Sequence, residues 1–90
     1  MKYNLIDYFD VWGNDVEGYE VNNLCKTDIY INIEEEDNDV DILVKLVESG
    51  YFLPNAVKKV EVEWLEESYI EFYEKNNYMP LCRLEKREEE

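Results

Sequence analysis

One stretch of this chain reads as a helix, and nearly everything on either side of it alternates as strands do. Glu34 to Gly50, EEEDNDVDILVKLVESG, runs from a block of acids into a short apolar-periodic segment that stops at glycine. Val40, Leu43, Val44 and Val47 recur at i, i+3, i+4 and i+7, the spacing that lines one face of an α-helix. Asn38 or Asp39 can accept from the unpaired N–H groups of the first turn, and Asp37, Asp39 and Asp41 suit the positive end of the helix dipole. Gly50 stands where a left-handed residue closes a helix. With one helix available, the strands must form a sheet and the helix must be its lid.

The strands follow from alternation and turn residues. Tyr3 to Trp12 places Tyr3, Leu5, Phe9 and Val11 on one side, with Asn4, Ile6, Tyr8, Asp10 and Trp12 on the other. Aromatics on both sides predict cover on part of the second face. Gly13 to Gly18 is a loop. Tyr19 to Asn23 is extended, Leu24 to Thr27 is ambiguous, and Asp28 to Ile33 is a half-buried strand expected to pair antiparallel with the first. After the helix, Pro54 blocks any continuation. Lys59 to Trp64 then alternates with Val60, Val62 and Trp64 inward; Tyr69 to Glu74 follows, with Ile70 and Phe72 on one side. Lys75-Asn76-Asn77 is a tight turn into Tyr78 to Leu84, where Pro80 predicts an edge or bulged strand. The reading is one α+β domain over residues 1–84: a mostly antiparallel sheet of about five strands, β-β-α-β-β-β, with one helix packed on it. Residues 85–90 read as a charged, frayed tail, and the Pro80 strand is the open edge on which a homodimer would form.

Charge bounds the function more than any motif does. Ninety residues carry 23 Asp and Glu against 9 Lys and Arg, a formal charge of −14. Eight Tyr and two Trp rule out a disordered acidic tail, so the acids decorate a folded surface. Such a field repels nucleic acid and anionic lipid and attracts basic proteins. The cations look scattered, with Lys58-Lys59 and Arg83…Lys86-Arg87 the nearest to clusters and no basic groove visible. The opening Met1-Lys2-Tyr3-Asn4 has no signal-peptide core and no apolar run reaches membrane-spanning length, so a cytoplasmic protein without membrane contact is expected. Cys25 and Cys82 beside leucines read as buried, reduced thiols.

No constellation demands an enzyme. His is absent, which removes the commonest general base and zinc ligand. Asp37, Asp39, Asp41 and Glu48 fall at calcium-loop positions 1, 3, 5 and 12, but Ile42 occupies the position that needs glycine. No metal and no cofactor are therefore expected. Glu61 with Glu63, or Glu71 with an acid on the adjoining strand, are the nearest approach to an acid–base pair.

Tyr8, Trp12, Tyr19, Tyr30, Tyr69, Tyr73 and Tyr78 are too many for so small a core. They either anchor a protein interface or pair across strands to stiffen the sheet. Acids two apart on a strand, such as Glu61 and Glu63, stand roughly 6.6 Å apart, while duplex DNA presents one charge per about 1.7 Å of axis. Rows of carboxylates can thus occupy a Lys/Arg groove built for nucleic acid. The segment Asp10-Val11-Trp12-Gly13-Asn14, followed by Gly18-Tyr19-Glu20-Val21-Asn22, resembles the opening of small uncharacterised proteins from phages and mobile elements of Gram-positive bacteria. In size and acidity the chain also resembles phage anti-defence proteins, including anti-CRISPR and anti-restriction DNA mimics. The resemblance implies a non-enzymatic inhibitor in the host cytoplasm that blocks a basic nucleic-acid-binding protein. The residues expected to carry it are Glu34, Glu35, Glu36, Asp37, Asp39 and Asp41, with Asp15, Glu17 and Glu20 in the first loop. The alternative is a small adaptor that binds a protein partner through its aromatics.

Overall fold

Pairing follows the alternation, and the elements appear in the expected order. The computed structural model describes residues 1–66 and 68–87. β1 (Lys2–Asn14) and β2 (Gly18–Asn32) precede α1 (Asp39–Glu48). A short 3₁₀ turn (Pro54–Lys59) then leads into β3 (Val60–Leu65), β4 (Tyr69–Glu74) and β5 (Pro80–Lys86). The strands form one sheet in the order β2-β1-β5-β4-β3, every neighbouring pair antiparallel.

This order explains the lid. β2 and β3 are the two edges, so the chain between them must cross four interstrand gaps, about 19 Å. α1, ten residues long, spans about 15 Å, and the 3₁₀ turn completes the passage. Ile42, Leu43 and Leu46 pack onto Leu5, Ile31, Ile33, Ile70, Phe72 and Leu84 in a single core cluster. The helix is closed at both ends by its own sequence. Asn38 Oδ1 accepts from the Asp41 N–H at 3.0 Å while Asp41 accepts from the Asn38 N–H at 3.0 Å, a reciprocal cap. Gly50 takes φ +87°.

Four expectations are corrected. The buried helix face is Ile42, Leu43 and Leu46, whereas Val40 and Val44 are exposed; the phase is set by the sheet beneath. Trp64 faces the helix side of β3 but is 47% exposed, because it lies on an edge strand and its indole N–H reaches Asp39 at 2.7 Å. The Pro80 strand is not an edge: β5 lies between β1 and β4. Proline is accommodated there as the first strand residue, where its missing N–H ends the ladder instead of breaking it, and the register against β4 shifts beside it. Glu85 and Lys86, read as tail, belong to β5; residues 88–90 lie outside the described residues.

β1 outruns its neighbour. Tyr3 to Asp7 are flanked by β2 on one side and β5 on the other. From Tyr8 to Asn14, β1 pairs with β2 alone, so the hairpin projects past the sheet as a two-stranded ribbon. At the other end of the hairpin, β2 bulges opposite Leu5. Asn4, 3% exposed, fills the bulge, donating through Nδ2 to the carbonyls of Thr27 and Ile29 at 2.9 and 3.1 Å. The Thr27 hydroxyl donates to the Leu5 carbonyl at 2.8 Å. Bulges of this kind blunt an edge against strand addition.

Candidate partner-binding site

The nine predicted acids separate into two stations. Lys2 is opposite Asn32 at one end of the β1–β2 hairpin and Asn14 opposite Gly18 at the other. The strand rise puts about 35–40 Å between those ends, comparable to the molecule's longest extent of 38 Å. Glu34 to Asp41 stand at the first end, and Asp15, Glu17 and Glu20 at the second. The structure brings each group together locally but not the two groups to one another.

At the helix station, half of the acids have local duties. Asp37 accepts from the Glu34 N–H at 2.8 Å and from Lys45 Nζ at 2.5 Å, and the Lys45 contact, followed by the backbone bond, holds its carboxyl below the usual range. Asp41 closes the helix cap and Asp39 takes the Trp64 indole. Glu34, Glu35 and Glu36 are exposed, and among the described residues their carboxylates have no hydrogen-bond or ion-pair partner. At the tip station, Asn14 Oδ1 accepts from the N–H groups of Val16 and Glu17 at 2.9 and 2.8 Å. That turn presents Asp15, Glu17 and Glu20 to solvent. Gly13 makes the reversal fit: it takes φ +125°, and a Cβ there would lie 2.2 Å from the Gly18 carbonyl oxygen.

Between the stations lies what the charge pattern did not reveal. The ribbon exposes Phe9 (62%), Trp12 (67%) and Leu24 (47%). Asp10 accepts from the Trp12 indole N–H and from Asn23 Nδ2, so a carboxylate tethers the exposed ring. Beside the ribbon root a cavity of about 510 Å³ is lined by Phe9, Val11, Phe52 and Met79 among others. The aromatics thus divide between the two readings. Trp12, Tyr30 and Tyr78 are exposed, as an interface needs. Tyr8, Tyr19, Tyr69 and Tyr73 are half-buried; Tyr8 and Tyr69 bind across strands, Tyr8 to Glu71 and Tyr69 beneath Arg83.

The ribbon root is clamped on both faces. On the helix side Tyr51 donates its hydroxyl to Asp7. On the open side the Tyr8 hydroxyl donates to Glu71 Oε1 at 2.9 Å. Burial raises both hydroxyl pKa values far above the ordinary tyrosine range. Glu71 faces Glu63 in register across β3–β4, which is the carboxylate neighbour anticipated from the alternation. Burial raises its pKa, Glu63 adds to the rise, and the Tyr8 bond and Arg83 oppose it. Cys82 is buried, with burial pushing its thiol upward. Cys25, expected to be buried, is exposed on edge strand β2. Both cysteines flank Asp7 from opposite sides, two strands and about 10 Å apart, too far for a disulfide. Among the described residues no three His, Cys, Asp or Glu side chains converge as metal ligands, and no helix is long and apolar enough to cross a membrane.

No family model matches the chain, and no curated protein or solved structure matches it.

Proposed function

We propose that this domain is a non-enzymatic acidic inhibitor that occupies the basic, nucleic-acid-binding surface of another protein, in the manner of the phage anti-defence mimics it resembles in charge. One observation carries the reading: the acid surplus is turned outward. Among the described residues the ion pairs are Lys45–Asp37 and Arg83–Glu85, while Glu34, Glu35, Glu36, Asp15, Glu17 and Glu20 all face solvent. Two acidic stations about 35–40 Å apart match roughly one turn of duplex, 34–36 Å. A groove that grips phosphates one turn apart would meet both. Opposite fields would make such association fast and salt-sensitive.

The test is capture of a partner from bacterial lysate, release along a salt gradient and competition with duplex DNA. Release at moderate salt together with displacement by DNA is the expected result. Charge reversal of Glu34, Glu35 and Glu36 to Lys, and separately of Asp15, Glu17 and Glu20, should each weaken binding at least tenfold. Binding indifferent to both reversals would sink the mimic.

The exposed Phe9 and Trp12 favour a second reading, an adaptor that docks a protein partner through the ribbon. There the partner would resist salt, and Trp12→Ala would matter where charge reversal did not.

A further inference from the structure

The sheet collects most of the scarce cations in one place. Of the nine Lys and Arg, Lys26, Lys86 and Arg87 line a cavity of about 690 Å³ on the face away from α1. Lys2 and Arg87 lie over the Tyr30 ring, 5.5 and 5.8 Å from its centre. Arg83 lies 5.3 Å from the centre of the Tyr69 ring, and both tyrosines line the same cavity. The groove that appeared absent in the sequence is assembled by residues far apart in the chain. Five cations together in a chain of net charge −14 oppose one another and need a reason.

Asn4 gives the second observation. It lines this cavity at 3% exposure. Its Nδ2 donates to the Thr27 and Ile29 carbonyls, which pins the β2 bulge, and with it Lys26, at the cavity wall. Two carboxylates also line the cavity, of which Glu85 is already paired with Arg83. Screening over about 8 Å at physiological salt leaves a bound anion under the control of these nearby cations. The acids of the ribbon tip lie on the order of 30 Å away by strand rise; Glu34, Glu35 and Glu36 stand nearer, past the Lys2–Asn32 end of the hairpin, on the exposed turn that leads to α1.

We infer that this cavity is a mononucleotide site. The phosphate sits between Lys26 and Arg87, and the base lies against the tyrosine rings. The volume is that of a small-molecule site, and the pairing of cations with π-faces is the chemistry that holds single nucleotides. Long nucleic acid remains repelled by the molecule's total charge. The inference does not depend on the partner proposed above, because no partner enters the test.

The experiment is an amide NMR titration with AMP, alongside inorganic phosphate and adenosine. AMP should give saturable shifts centred on Asn4, Lys26, Tyr30, Tyr69 and Arg87, and should bind more tightly than either fragment. Lys26→Gln with Arg87→Gln, both exposed positions, should weaken AMP about 10–100-fold without moving the melting temperature. Phosphate as tight as AMP would overturn the base contact, and adenosine as tight as AMP would overturn the phosphate contact. Shifts that do not saturate, or that persist unchanged in the double variant, would overturn the site.

Discussion

The two halves of β1 are one strand with two different employments. From Tyr3 to Asp7 it has a neighbour on each side and a helix above, and Tyr3, Asn4, Leu5 and Ile6 are all buried. From Tyr8 to Asn14 it has β2 alone, and Phe9 and Trp12 are mostly exposed. Isolated two-stranded ribbons are marginal in water, so the outer half persists because its root is clamped and its turn is well made. The lesson is a division of labour. Side chains in the inner half are spent on the fold, and those in the outer half are available to something else.

The largest expected effect tests the inner half. Leu5 is fully buried among α1, β4 and β5 residues, and Leu5→Ala should destabilise the domain by about 3 kcal/mol in a denaturant titration. A loss below 1 kcal/mol would mean that the core tolerates a cavity at its centre and that the contrast is overstated. Gly13→Ala comes next and addresses the outer half. The added methyl meets the Gly18 carbonyl oxygen, and the φ of +125° is one that side chains resist, so a local cost of roughly 1–3 kcal/mol is expected. Hydrogen exchange should lose protection from Val11 to Val21 while the Leu5 to Asp7 amides keep theirs. Simultaneous loss in both halves would show that ribbon and body unfold as one unit.

How much of this was legible varies by element. The helix ends were legible to within one residue, the first as Asn38 or Asp39 and the last as Gly50, because caps are local chemistry; the structure selects Asn38. Its buried face was not, since Asp41 and Lys45 are the only polar residues between Val40 and Val47, and several apolar stripes compete until a sheet selects one. The rule that confines proline to edges misplaced β5, because a strand's first residue can also do without its N–H. The acids were visible, but their separation into two stations appears only once β1 and β2 pair along their whole length. Least legible was the cationic cavity. Lys2, Lys26 and Arg87 come together through sheet order, a property of long-range pairing that local pattern does not carry.

The ribbon root yields a smaller, pH-dependent effect. Glu71 is a half-buried carboxyl whose pKa is raised, chiefly by burial, above its ordinary value of 4.5. A carboxyl raised on folding binds its proton more tightly in the folded state, so its contribution to stability falls as pH rises from the unfolded value through the folded one. Glu71→Gln keeps an acceptor for the Tyr8 hydroxyl and removes the desolvated charge. The variant should melt higher than the parent at pH 7, with the difference closing towards pH 4. A lower melting temperature at pH 7 would show that attraction to Arg83 outweighs burial.

The smallest effect on stability is the most telling for function. Trp12 is 67% exposed and its polar contact is a single bond to Asp10 on its own strand. Trp12→Ala should therefore change the unfolding free energy by no more than about 0.5 kcal/mol. If the ribbon is the arm that meets a partner, the same change should weaken capture of that partner by at least tenfold, the weight of an interface anchor. A residue that costs nothing to the fold and much to binding would confirm that the outer half of β1 is kept for contact. A Trp12→Ala variant that is destabilised, yet captures its partner as before, would return the ribbon to the fold and leave the acidic stations to carry the interaction alone.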